Sequence, residues 1–203
     1  MTMCMSKPLL KKKEKIVCVT NRHLTEDFLA QVEKVAAMGI QTIILREKDL
    51  EAGEYEKLAR EVLLICEKYQ TKCMLHNFSE VAEKLWQDKT IYQPTGLHLP
   101  SGKFLALTEE QKKQIPLLGV SVHSLDEARQ CERLGASYVT AGHIFVTDCK
   151  KGVPPRGLSY LREICAGVNI PVFAIGGIHA DNMASCLDAG ADKVCMMSNL
   201  MKI

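Results

Sequence analysis

Eight short apolar runs, rich in valine and isoleucine, recur along the chain, at residues 16–20, 42–46, 73–76, 96–99, 118–122, 137–141, 171–175 and 193–197. Most are continuous rather than alternating. That is the pattern of strands covered on both faces in a parallel sheet. Between most of them the apolar positions take up helical spacing. Over 24–38, for example, Phe28, Val32, Val35 and Ala36 share one face. The same period predicts helices over 55–69, 125–134, 160–166 and 181–189. Three junctions repeat one grammar: "MGIQTIIL" from Met38, "LGASYVTA" from Leu134 and "AGADKVCM" from Ala189. In each a helix ends, glycine closes it in the left-handed conformation, and a strand begins two residues later.

Alternating strands and helices of this number predict the α/β class and a (β/α)8 TIM barrel. A doubly wound sheet is the competing architecture, and it usually needs fewer strands. The whole chain, 1–203, is expected to be one barrel domain, with residues 1–15 as a flexible N-terminal arm. Only six residues follow the eighth run, so the last helix is expected to be shortened or missing.

The 203 residues suit a single barrel, and 47 % hydrophobic with 25 % charged residues is ordinary for a globular protein. A net charge of +2 provides no field for nucleic acid or an anionic membrane, and neither is expected as a partner. The basic run "KKKEK" at 11–15 reads as part of the solvated arm. No apolar stretch approaches a membrane span. The N-terminal charges follow the apolar residues instead of preceding them, unlike a signal peptide. Nine cysteines without a C-x-x-C pair, several inside apolar runs, read as buried thiols of a cytoplasmic protein.

In a barrel of this kind, catalytic groups sit at the C-terminal ends of the strands. Read in order, those ends carry Thr20, Asn21 and Arg22; Arg46, Glu47 and Lys48; His76 and Asn77; then His98. The fifth carries Ser121 and His123, the sixth His143, Thr147, Asp148 and Lys150, the last two Gly176–Gly177 and Ser198–Asn199. Such a concentration of polar groups at one end predicts a ligand site. Ser124 is the natural N-cap of the next helix, with Glu127 completing a capping box, so His123 is expected to point inward as an acid/base. For Arg46 and Lys48 the competing reading is a salt-bridge cluster with Glu47 and Asp49 at a helix start.

"AIGGIHADN" at 174–182 reads as a phosphate loop. Gly176 and Gly177 would let backbone N–H groups approach an anion, and Met197 and Ser198 after the eighth strand would add more. The stretch 143–157, with its glycines and prolines, reads as a lid or a substrate-contacting loop in which Lys150 could meet an anion. Lys151 is expected to face solvent.

The stretches "VTNR", "LREKDL", "GLHLPSG", "GVSVHSLDEA", "ASYVTAGHIFVTDCKKG", "GLSYL", "PVFAIGGIHADN" and "GADKVCMMS" together resemble the thiamine phosphate synthase/TenI superfamily, over nearly the whole chain. Two activities are known on that scaffold. The synthase couples hydroxymethylpyrimidine pyrophosphate to thiazole phosphate, with Mg²⁺ holding the pyrophosphate. Its pattern has Gln two residues before the arginine of "REK", Asn-Asp after strand three, and Asp after the strand-four histidine. This chain has Ile44, His76–Asn77, and Lys103 near the missing acid. Mg²⁺ favours hard oxygen ligands, carboxylates above all.

On those departures, and because "LPSG", "SVHSL", "GHIFVTDCKKG" and "RGLSYL" look more like TenI, the resemblance is read as closest to the TenI branch, a thiazole tautomerase, which aromatises a phosphorylated thiazole by proton transfer. It implies an isomerase without metal or other cofactor, acting on a phosphorylated thiazole. His123 would be catalytic, with Arg46, Lys48, Asn77, His98, Ser121, Thr147, Lys150, Gly176, Gly177, Met197 and Ser198 around the substrate. His98 and His143 are second candidates for the acid/base, and His76 fits neither pattern. The synthase and a non-catalytic binder of thiazole phosphate or thiamine phosphate are the alternatives. A barrel without its last helix would also expose apolar surface for a homodimer to cover.

Overall fold

All eight apolar runs are strands in the computed structural model, which describes residues 12–148 and 152–203. They are β1 (Ile16–Val19), β2 (Thr42–Leu45), β3 (Lys72–His76), β4 (Gly96–Pro100), β5 (Leu118–Val122), β6 (Tyr138–Gly142), β7 (Val172–Ile175) and β8 (Lys193–Met196). Each pairs in parallel with the next, and β8 pairs back onto β1. The sheet is therefore a closed barrel and not a doubly wound layer. Its register sets His76 beside His98, Pro100 beside Ser121, and Ser121 beside Thr140, so the polar residues of neighbouring strands meet at one end.

The surrounding helices are α1 (Phe28–Ala37), α2 (Ala52–Tyr69), α3 (Ser79–Gln87), α4 (Ser101–Leu105), α5 (Glu109–Gln114), α6 (Leu125–Arg133), α7 (Gly157–Gly167), α8 (Met183–Asp188) and α9 (Ser198–Met201). The helix expected from residue 24 is divided. Arg22–Leu24 form a 3-10 turn capped by Asn21, and α1 starts only after Asp27, whose carboxylate accepts the Ala30 N–H at 3.0 Å. Two capping side chains override one apolar period. Three short helices, α3 to α5, escape the periodicity because each buries so little. α3 buries Val81, Ala82 and Leu85, α4 buries Phe104, and α5 buries nothing. Gly39, Gly135 and Gly190, at the three repeated junctions, all have positive φ (83°, 90° and 103°), the conformation glycine adopts without strain.

The core has two parts. Val17, Val19, Ile44, Met74, Tyr138 and Cys195 cluster separately from the larger group, which joins strand residues such as Ile43, Leu75 and Leu97 to helix residues such as Val35, Leu63 and Leu161. Of the seven described cysteines six are buried, and none is in a disulfide. Burial pushes the Cys195 thiol up to about 12, so these are inert side chains rather than nucleophiles. Among the described residues no helix is long and apolar enough to cross a membrane.

At the chain ends, Lys13–Lys15 form a 3-10 turn leading into β1, and residues 1–11 of the expected arm lie outside the described residues. The shortened last helix, α9, has four residues, and its Leu200 and Met201 are buried. Gln31 of α1 donates to the Leu200 carbonyl at 2.6 Å. α9 thus covers part of this end of the barrel from within the chain.

Candidate active site

A cavity of about 560 Å³ opens at the C-terminal ends of the strands, a size suited to small ligands. Ten of the twelve expected site residues line it: Arg46, Lys48, His98, Ser121, His123, Thr147, Gly176, Gly177, Met197 and Ser198. Asn77 is not on its wall. Lys150 and Lys151 lie outside the described residues.

His98 is buried inside the barrel. Its Nδ1 is 2.9 Å from the Tyr138 hydroxyl and its Nε2 2.9 Å from Ser121 Oγ, to which Thr140 also donates at 3.2 Å. Both ring nitrogens are therefore engaged by the protein, and the network ties β4, β5 and β6 together. Burial, and then the Arg46 charge, push its pKa down to about 3, so the imidazole is neutral. His76 stacks against it at 5.8 Å between ring centroids and is pushed down to about 2 by burial, His98, Arg46, Lys48 and Lys103. Its Nδ1 is buried without a hydrogen-bond partner. Tyr55 of α2 anchors this corner: its hydroxyl donates to the Leu45 carbonyl at 2.6 Å and accepts from the His76 N–H at 2.9 Å.

His123 stands at the rim rather than pointing fully inward, with its side chain 47 % exposed. Ser124 caps α6 as expected, accepting the Glu127 N–H at 3.1 Å. The reciprocal bond differs from a capping box. The Glu127 carboxylate accepts the N–H of His123, not of Ser124, at 2.6 Å, and lies 3.6 Å from the His123 ring. The Arg156 guanidinium donates to the His123 carbonyl at 2.5 Å. Glu127 and Arg156 thus fix the backbone of His123. Neither role was readable from spacing, because Arg156 arrives from 33 residues away.

The loop after β6 packs onto the loop after β7. Ile144 N–H donates to the Ile175 carbonyl and Phe145 N–H to the Gly176 carbonyl. Gly176 and Gly177 have φ of 105° and 64°. A Cβ on Gly176 would lie 2.5 Å from the His143 Cβ, and one on Gly177 would lie 2.3 Å from the Val146 carbonyl oxygen. The glycines are thus required by loop packing, whatever they do for an anion. His143 lines the cavity; its Nε2 donates to the Val153 carbonyl at 3.2 Å, and its buried Nδ1 has no hydrogen-bond partner among the described residues.

At the first two strand ends the acids are taken up. Glu47, 2 % exposed, accepts from Thr20 Oγ1 at 2.6 Å and the Arg22 N–H at 3.0 Å. Asp49 pairs with Arg22 and His23. The salt-bridge cluster at this corner is thus built on Arg22, while Arg46 and Lys48 line the cavity. Lys103 of α4 donates to the Asn77 carbonyl at 3.2 Å.

A carboxylate-held Mg²⁺, which the resemblance to the synthase implies, does not fit these residues. Among the described residues no three His, Cys, Asp or Glu side chains gather where they could hold a metal ion, and Asp148 is the one carboxylate on the cavity wall. Mg²⁺ requires hard oxygen donors in near-octahedral array.

The family model described as thiamine monophosphate synthase matches residues 16–200. The chain belongs to the thiamine monophosphate synthase family. It is similar to thiamine-phosphate synthase 2 of Streptococcus pneumoniae, at 32 % identity over 93 % of this chain and 88 % of that one. It is also similar to the thiamine-phosphate synthase of Desulfitobacterium hafniense, at 34 % identity over 90 % and 87 %. Among solved structures, thiamine phosphate pyrophosphorylase from Pyrococcus furiosus superposes with a TM-score of 0.79 at 29 % identity, covering 96 % of this chain and 90 % of that one.

These relatives overturn the expectation of a thiazole tautomerase, and nothing in them supports the isomerase class or a particular closeness to TenI. That expectation rested on the missing acids and on the stretches "LPSG", "SVHSL", "GHIFVTDCKKG" and "RGLSYL".

Proposed function

We propose that this protein is a thiamine-phosphate synthase, a transferase that joins hydroxymethylpyrimidine pyrophosphate to thiazole phosphate. The relatives named above support the reaction. The observation that carries it in this chain is the polarity of the cavity. Cations, Arg46 and Lys48, stand at the end of β2, and the glycine loop with Ser198 stands at the ends of β7 and β8. β2 and β7 are three strands apart in a ring of eight, close to opposite. Apolar groups between them, including Ile44, Cys195 and Met197, suit two aromatic rings. Such a cavity matches two anionic substrates laid ring to ring.

The thiazole ring nitrogen supplies the electron pair for a new bond to the pyrimidine methylene carbon. The bond from that carbon to the pyrophosphate oxygen breaks, and its electrons leave with the pyrophosphate. The attacking nitrogen carries no proton, so no general base is needed. Holding the rings in line and compensating the leaving charge are the tasks. Arg46 and Lys48 stand where the leaving group gathers charge. Leu200 and Met201 N–H groups donate to the Met197 carbonyl, which leaves the N–H groups of Ser198 and Asn199, at the start of α9, as those suited to the thiazole phosphate. His123, on this reading, is a rim group that orients substrate rather than a proton carrier.

Expression in a bacterial strain lacking its thiamine-phosphate synthase tests the reading. Growth without added thiamine is expected. Failure to grow with soluble protein present would reject the assignment.

A further inference from the structure

We infer that the pyrophosphate end of the cavity is built to work without a protein-held divalent cation, the charge being compensated by Arg46, Lys48 and Lys103. The inference rests on the synthase reading and concerns how that same site handles its leaving group. Three strand ends contribute. Arg46 and Lys48 line the cavity after β2; Lys103 lies just behind its wall, reaching from α4, after β4, to the Asn77 carbonyl just past β3, where its charge acts on His76. β3 lies opposite β7 in the closed ring, so this corner faces the glycine loop across the cavity.

Carboxylates that might hold a metal there are missing or spent. Glu47 is buried under donors from Thr20 and Arg22, and Asp49 is paired with Arg22 and His23. Asp148 belongs to the loop after β6, on another side of the mouth. Residues 1–11 and 149–151 contain no Asp, Glu or His, so they add no such ligand. What remains at the corner is a neutral imidazole, His76, and three cations whose combined field helps keep it neutral. A divalent cation placed among them would meet like charge and find no hard anionic donor from the protein. A pyrophosphate placed there meets charge of the opposite sign and donors to hold it.

Titration calorimetry with inorganic pyrophosphate, in chelator and then with Mg²⁺, tests the inference. The wild-type protein is expected to bind pyrophosphate in chelator, with Mg²⁺ changing the affinity by less than about threefold. Binding should weaken as salt is raised. Lys103→Gln, at an exposed position, is expected to keep the fold and lose about tenfold in affinity in chelator. Binding that appears only with Mg²⁺, or wild-type affinity in Lys103→Gln, would overturn the inference. Product assays separate the two readings. Thiamine phosphate formed by a protein that binds pyrophosphate only with Mg²⁺ leaves the synthase standing and the inference rejected. Metal-independent pyrophosphate binding without product does the reverse.

Discussion

The His123 N–H lies 2.6 Å from a carboxylate oxygen of Glu127, one turn into the helix that follows. The same side chain accepts from Ser101 Oγ at 3.2 Å, so it links the ends of β4 and β5 at the cavity rim. Glu127→Ala is expected to lower stability by about 1 kcal/mol, the size of one modest hydrogen bond at a partly exposed site. It should also raise KM more than it lowers kcat, because His123 loses its orientation. Glu127→Gln retains an acceptor and should stay close to wild type. Thermal melts and steady-state kinetics on both variants decide. Equal effects of Ala and Gln would show that charge, not backbone anchoring, is what Glu127 supplies.

Gly177→Ala places a Cβ 2.3 Å from the Val146 carbonyl and asks alanine to hold a φ of 64°. Strain and displacement of the loop after β6 should cost about 1–3 kcal/mol. The displaced loop carries Thr147 and Asp148, so affinity for thiazole phosphate should fall with stability. Chemical denaturation and a binding titration with thiazole phosphate measure the two. A variant as stable as wild type would mean that the loops separate freely.

Acid should destabilise the protein through two imidazoles. His76 and His98 are held neutral in the folded state, at about 2 and about 3, facing one another and the charges of Arg46, Lys48 and Lys103. The unfolded chain takes up protons near pH 6.5. Their contribution is therefore complete above about pH 6.5 and is lost as pH falls from there toward 3. Each imidazole removes about 1.4 kcal/mol per pH unit in that window. His98→Gln, which keeps polar atoms for Tyr138 and Ser121, should show a shallower loss between pH 6 and 5 in denaturation experiments. Parallel curves for variant and wild type would mean that His98 protonates freely in the folded protein.

The barrel was readable because its strands are continuous apolar runs and three helix–glycine–strand junctions repeat. Strand boundaries fell within one residue of those observed. The rule that barrel chemistry gathers at strand ends located ten of twelve expected site residues on one cavity wall. Other features depend on contacts the sequence does not display. The tie between His98 and Tyr138 joins residues 40 apart, and it holds from within the barrel a ring that also lines the cavity. Gly176 and Gly177 read as room for an anion; the sequence does not display that the space a Cβ would take is filled by residues 143–146, so loop packing also demands glycine there. In the sequence, His76 and Lys103 read as the loss of a reaction. In the folded chain they stand with Arg46 and Lys48 at one corner, where they change how a leaving group is held.

Phosphorus NMR of the purified protein mixed with hydroxymethylpyrimidine pyrophosphate and thiazole phosphate tests the central claim most directly. The synthase reading predicts that the signals of a free pyrophosphate and of thiamine phosphate grow together, one for one, while both substrates are consumed. Pyrophosphate released without thiamine phosphate, or both substrates unchanged beside folded protein, would contradict it.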